Sequence, residues 1–142
     1  MNPTLVQPYL FFGGKCDEAL AFYGKSLGAK VEFLMRNSES PEPLPPGMMP
    51  PGFEHKVMHA TITIGGSTIM VSDGNEIGPK FSGFNLSLNF PTEVEARRAF
   101  TALAEDGSID MPLAKTFWSP CFGMVTDHFG ICWMISVPGQ NA

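Results

Sequence analysis

The sequence has no long apolar run, no excess of base and only three cysteines, and each shortage narrows what the chain can be. Its longest apolar runs are strand-sized, well short of the ~20 residues that span a bilayer as a helix. Nine Lys and Arg stand against fourteen Asp and Glu, a formal net charge of −5. With no basic stripe to neutralise phosphates, a nucleic-acid partner is excluded. Cys16, Cys121 and Cys132 lie at unrelated spacings without a CxxC, and so read as buried thiols of a reduced, cytosolic protein. The start, Met1-Asn2-Pro3-Thr4, carries no basic region and no cleavable apolar run, so no secretory signal is expected.

What is present suits a globular chain: 142 residues, 44% hydrophobic and 16% charged. That length makes one domain, or two small halves sharing a core, and buries roughly 68–70% of the unfolded surface. Leu5 to Phe12 is an apolar run between Pro3 and Gly13-Gly14, which predicts a buried strand. A helix is expected from Lys15 to about Leu27, with Asp17 and Glu18 in the first turn and Gly28 closing it. Val31 to Met35 reads as a second strand. Residues 38–55 hold six prolines with Met48 and Met49, so this stretch reads as a long loop, either a lid or a disordered excursion. Lys56 to Ile64 and Ser67 to Ser72 flank Gly65-Gly66, a hairpin signal.

The second half repeats the order. Phe84 to Phe90 reads as a strand, and Thr92-Glu93-Val94-Glu95 is a capping box opening a helix that buries Ala96, Ala99, Phe100 and Leu103. Strands follow at about Ile109 to Trp118, Cys121 to Thr126, and Ile131 to Val137. The expected plan is therefore β-α-β-β-β twice: module one at about 4–75, a linker at about 76–82, module two at about 83–138, all within one domain.

Two βαβββ modules are the plan of the vicinal-oxygen-chelate superfamily, which includes glyoxalase, bleomycin-resistance proteins and dioxygenases. Several segments resemble its PhnB-like branch. They are Pro8-Tyr9-Leu10-Phe11-Phe12 with Ala19-Leu20-Ala21-Phe22-Tyr23, then His59-Ala60 with Ile69-Met70-Val71-Ser72-Asp73. Phe117-Trp118, Gly123 to Gly130 and Trp133-Met134-Ile135 complete the set. The resemblance implies an α+β fold in which curved mixed sheets form a trough with helices outside, and it implies a homodimer. A ubiquinone-methyltransferase label travels with this branch, but no strand–GxGxx–helix unit exists here to hold a methyl-donor nucleotide.

Alternation along the strands separates a helix-packing set from an inward set. Ala60, Ile62 and Ile64, Ile69 and Val71, Leu86, Leu88 and Phe90, and Ile131, Trp133 and Ile135 should pack under helices. That turns His59, Thr61, Thr63, Thr68, Met70, Ser72, Asn85, Ser87, Asn89, Cys132, Met134 and Ser136 inward. A half-polar enclosed face suits a small ligand with few polar groups. The positions that the resemblance assigns to metal ligands hold Pro8 (or Gln7), Met70, Asn85 and Met134, so no metal site and no cofactor are expected. His55 and His59 are spaced as in HExxH, but in strand register they lie roughly 13 Å apart.

Each candidate has two readings. His59 is either an acid or base or a sheet histidine bonded to a neighbour. Cys121 is either a nucleophile or a small buried hydrophobe. Trp118 either stacks on a flat ligand or belongs to the core, and of Phe117 and Trp118 only one should face inward. Asp73, Asp127 and Gly130 fit turn chemistry, and His128 sits in an exposed turn. The expected ligand-binding set is His59, Met70, Asn85, Ser87, Trp118, Cys132 and Met134, with no catalytic residue assigned. The leading expectation is a protein that binds a small, partly aromatic molecule in a metal-free trough. The alternatives are a divalent-metal lyase, isomerase or dioxygenase using unusual ligands, and an interaction module without a ligand.

Overall fold

In the computed structural model, residues 3–42 and 47–139 are described. The chain divides into two units, Met1–Lys80 and Phe81–Ala142. In each unit a short strand leads into an amphipathic helix and then three more strands.

In the first unit the elements are β1 (Tyr9–Phe11), α1 (Cys16–Leu27), β2 (Lys30–Arg36), β3 (Val57–Ile64) and β4 (Ser67–Ser72). They form one mixed sheet in the order β1-β4-β3-β2, with β1 parallel to β4 and the other pairs antiparallel. The expected hairpin closes through Gly65-Gly66, with Ile64 opposite Ser67. Gly65 takes φ +57, which a residue without Cβ reaches freely. Helix α1 buries Cys16, Ala19 and Tyr23 and ends at Gly28 in the left-handed region, as its spacing predicts.

The second unit repeats this: β5 (Leu86–Asn89), α2 (Glu93–Leu103), β6 (Ser108–Ala114), β7 (Cys121–Thr126) and β8 (Cys132–Val137), in the order β5-β8-β7-β6. Its first strand is again parallel to its last. The shared strand order shows the internal repeat more clearly than the residues do. Thr92 caps α2 by accepting from the Glu95 amide, and the Glu95 carboxylate accepts the Thr92 hydroxyl. Strand β6 carries Pro112 and two register shifts, which fit an edge strand because proline gives no ladder donor.

Three expectations need correction. The run Leu5 to Phe12 is not one long strand, and only Leu10 and Phe12 of it are buried: three residues pair with β4, and Leu5 and Val6 are 67% and 97% exposed. Pro3 and Pro8 remove backbone donors there, and Pro8 contributes only its carbonyl, which accepts the Met70 amide. The segment 38–55 is not uniformly irregular, because 3-10 turns at Asn37–Glu39 and Phe53–His55 bracket it. They are tied by the Asn37 side-chain amide donating to the Phe53 carbonyl. Pro43, Pro45 and Pro46 lie outside the described residues. Finally, β6 ends at Ala114, so Phe117 and Trp118 sit in a bend held by Thr116 and Ser119.

The first unit is organised around Asp73, which is 1% exposed. One carboxylate oxygen accepts the Gly14 and Cys16 amides and the other accepts the Val57 amide. A residue just after β4 thus caps α1, whose own N-cap residue Lys15 makes no side-chain cap, and fixes the start of β3. The turn role expected for Asp73 understates it. Gly13 must lack a Cβ here: it takes φ +59, and a side-chain carbon would strike the Gly78 backbone. Asp127 does similar work in the second unit, accepting the Phe129 and Ile131 amides and the Trp133 indole N–H.

Replacing Asp73 with Ala leaves three buried amides without an acceptor and should lower stability by about 3–5 kcal/mol. Asp73→Asn, which keeps one carbonyl oxygen, should cost less. Urea unfolding measures both; a loss below 1 kcal/mol for Asp73→Ala would refute the hub.

Candidate functional site

Each sheet buries one face under its helix and turns the other away. In the first unit Leu10, Ala60, Ile62, Ile64, Ile69 and Val71 are buried on the helix side, as the alternation predicts. The register then places Tyr9, Met70, Thr61 and Phe33 in a row across β1, β4, β3 and β2 on the opposite face. Phe11 with Ser72, and His59 with Met35, lie on the same face.

His59, half-buried, is bonded at both ring nitrogens. Its Nδ1 lies 2.8 Å from the Tyr9 hydroxyl and its Nε2 lies 3.3 Å from Thr61 Oγ1. Rings surround this chain of polar groups. Phe11 stacks on Tyr9 with centroids 4.8 Å apart and planes 9° from parallel, and Tyr9 meets His59 edge-on at 5.4 Å. Phe33 lies 6.2 Å from His59. Tyr9, Phe11 and Phe33 are 39%, 51% and 49% exposed, large apolar surface in one place where a solvated sheet normally carries polar side chains. Burial pushes the Tyr9 phenol above its usual range, with a hydrogen bond from Ser72 acting in the opposite direction, so Tyr9 keeps its proton. Phe11 also lines a cavity of about 290 Å³ with Gly13, Gly74, Glu76 and Lys80 among others, near the lower end for ligand pockets.

In the second unit Trp133, Ile135 and Val125 face the helix and are buried. Ser87, Met134 and Met124 form a row on the other face, with Ser136 beside Asn89. The Ser136 hydroxyl donates to Asn89 Oδ1. Cys132, half-buried, contacts the Thr126 hydroxyl at 3.3 Å, and that hydroxyl donates to Asp110. Asn85 falls one residue before β5 and is exposed, outside the paired strand. Trp118, 41% exposed, packs edge-on against Phe122 at 5.3 Å, while Phe117 is 94% exposed. The either-or reading of that pair fails because a bend has no alternation.

His59 and Met70 therefore share one face in the first unit, and Ser87, Cys132 and Met134 share one in the second. Tyr9, Phe11 and Phe33 were missed by sequence reasoning. Tyr9 and Phe11 sit at alternate positions of an apolar run, and that spacing was the signal available. Cys121 is buried and hydrogen-bonded into strand geometry through Ser119, which fits the small-hydrophobe reading. His128 is exposed, as expected. His55 lies on a 3-10 turn and not in strand register with His59.

A divalent metal does not fit these residues. Among the described residues no three of His, Cys, Asp or Glu gather into a group. His59 already has partners on both nitrogens, and Met70 and Met134 offer thioethers, poor partners for a hard or borderline cation.

This geometry, two four-stranded mixed sheets each backed by a helix, is that of the glyoxalase-type α+β fold. The model of the glyoxalase/bleomycin resistance protein/dioxygenase superfamily matches residues 6–135, and the chain belongs to that superfamily. It is 40% identical to protein YjdN of Escherichia coli (strain K12) over 96% of this chain and 97% of that one. Among solved structures, protein PA1353 of Pseudomonas aeruginosa is similar at 38% identity and TM-score 0.82, covering 96% and 98% of the two chains. The PhnB protein of Bacillus cereus is similar at 29% identity and TM-score 0.74, covering 94% and 99%.

The burial of the three thiols sets an order of reactivity. Burial, with the charges of Asp73 and Asp17 nearby, pushes the Cys16 thiol up and makes it inert, and Cys121 is fully enclosed. Native protein should titrate with one thiol per chain, Cys132, and with three after unfolding; Cys132→Ser should remove the native signal. Rapid reaction of Cys16 would contradict the burial described.

Proposed function

We propose that this protein binds a small, partly aromatic molecule against the polar faces of its sheets, without a metal, in the trough that its family resemblance implies. One observation carries the reading: a hydrogen-bonded chain, Tyr9–His59–Thr61, set among exposed rings of Phe11 and Phe33 on a sheet face. Such a face combines stacking surface with a few convergent polar groups, the usual composition of a small-molecule site. Met70 adjoins Tyr9 and Thr61 in register and adds a polarisable thioether suited to ring edges. In the second unit Ser87, Cys132, Met134 and Trp118 offer a comparable mix, with Asn85 as an exposed amide at the edge. A cavity of about 290 Å³, lined in part by Phe11, adjoins that face.

The homodimer and the cytosolic setting belong to the same proposal. Support for pairing comes from the strands β2 and β6, where Val31 and Ile109 are about half exposed. Among the described residues no helix is long and apolar enough to cross a membrane.

A panel of single-ring aromatic compounds screened by thermal shift should give hits. A compound present at 100 times its Kd should stabilise the fold by about 2.7 kcal/mol. His59→Ala and Phe11→Ala should each weaken a hit about tenfold, near 1.4 kcal/mol. Zinc, manganese or ferrous ion added to the dialysed protein should cause no shift. A panel without hits, alongside stabilisation by one of those ions that is lost in His59→Ala, would overturn the proposal. Sedimentation should separately find a dimer at micromolar concentration.

A further inference from the structure

The cavity beside Phe11 carries a charge of each sign. Its wall is formed by Phe11, Gly13 and most of the segment from Asp73 to Lys80, and Glu76 and Lys80 are its exposed charged side chains. Asp73 is part of that wall too, but it is 1% exposed and backbone amides take both of its carboxylate oxygens. Among the described residues the ion pairs are Lys15–Glu18, Arg36–Asp17 and Arg97–Glu93, so Glu76 and Lys80 pair neither with each other nor with a neighbour. A carboxylate and an ammonium thus stand apart around one hollow.

The loop that carries them is pinned at both ends. The Gly13 amide donates to the Asp73 carbonyl at 3.1 Å, and the Gly13 carbonyl accepts the Gly78 amide at 2.9 Å. One residue therefore closes the excursion from Gly74 to Ile77. The Gly74 amide also donates to the Ser72 hydroxyl at 2.9 Å, which hangs the loop from the end of β4. Gly74 lies against the Phe11 ring, and a Cβ added there would come within 3.1 Å of it. Ring, carboxylate and ammonium belong to one short, anchored piece of chain. Gly13, Gly74 and Gly78 leave its main chain uncovered, so a polar head group meets little steric hindrance.

Such a wall discriminates by charge. A neutral ring covers Phe11 and leaves both charges to water. An anion gains Lys80 and is repelled by Glu76, while a cation gains Glu76 and is repelled by Lys80. A divalent ion finds one free carboxylate, where calcium takes roughly six to eight oxygen ligands. A molecule with an ammonium and a carboxylate answers both charges at once, through charge-assisted hydrogen bonds. Resting on the binding reading above, we propose that this cavity takes a small aromatic zwitterion, the chemistry that an aromatic α-amino acid presents. Its ammonium lies on Glu76, its carboxylate on Lys80 and its ring on Phe11. No bond is made or broken in this step. Phe11 is common to the cavity and the sheet face, so the ring lies where the two meet.

The probes share one ring and differ in charge: phenylalanine, 2-phenylethylamine without the carboxylate, 3-phenylpropionate without the ammonium, and 2-phenylethanol with neither. Each is titrated calorimetrically into the full chain at neutral pH and low salt. Phenylalanine should bind about fivefold more tightly than either singly charged analogue, the upper gain from an exposed charge pair. Glu76→Gln should remove its advantage over 3-phenylpropionate, and Lys80→Gln its advantage over 2-phenylethylamine. The alcohol should keep wild-type affinity in both variants, and unfolding midpoints are measured to show that both fold. Equal binding of all probes, or undiminished phenylalanine affinity in both folded variants, would overturn the zwitterion and leave the binding reading standing. Tighter binding of either singly charged analogue than of phenylalanine would do the same. If no probe binds, the binding reading fails and the zwitterion fails with it.

Discussion

Everything in this fold follows from the alternation of side chains along strands that have a helix on one side only. Once Ala60, Ile62 and Ile64 go under α1, His59, Thr61 and Thr63 have nowhere to point but the opposite face. Burying a large aliphatic side chain is worth roughly 1.5–3 kcal/mol, so a one-residue slip of β3 would lose several times that. It would also push histidine and two threonines against the helix. The register is therefore set strongly by packing, and the site geometry comes with it. Tyr9 reaches His59, fifty residues away, because β1 lies parallel beside β4 and β4 antiparallel beside β3.

The parallel pairing of first and last strands needs its own device. A three-residue strand makes few ladder bonds, and β1 would hold its register poorly unaided. Asp73 supplies what the strand lacks, since its carboxylate accepts amides from the β1–α1 turn and from the start of β3 at once. Gly13 then approaches Gly78 closely enough for its carbonyl to accept the Gly78 amide. The first unit thus fixes Tyr9 and Phe11 by anchoring the residues that follow them.

Much of this was readable from residues alone. The order of elements, the Gly65-Gly66 hairpin, the Gly28 cap and the two sides of β3, β4 and β8 all come from local spacing, and local spacing decided them. Reading failed where the deciding partner was remote. Leu5 to Phe12 is apolar throughout, so period-2 alternation is invisible, and only pairing with β4 shows that Leu10 goes in while Tyr9 and Phe11 stay out. Trp118 was given a strand's geometry because nothing in its neighbourhood announces the Thr116–Ser119 bend. Asp73 looks like a turn residue in sequence, and its three amide donors come from segments up to 59 residues distant. The family and fold were carried by motif order across the chain. The first-unit rings belonged to a contact map that no short window holds.

The chemistry of the first-unit face also bears on how a divalent cation would fare there. A hard cation orders oxygen and nitrogen donors around itself and needs them uncommitted. His59 has both nitrogens committed, to a phenol and to a hydroxyl, and its nearest companions are rings and a thioether. Freeing one nitrogen for a cation would break its hydrogen bond to Tyr9 or to Thr61. The same arrangement suits an aromatic guest, which gains from flat and polarisable surface and asks for one well-placed polar group. On this face the donor chain and the rings argue in the same direction.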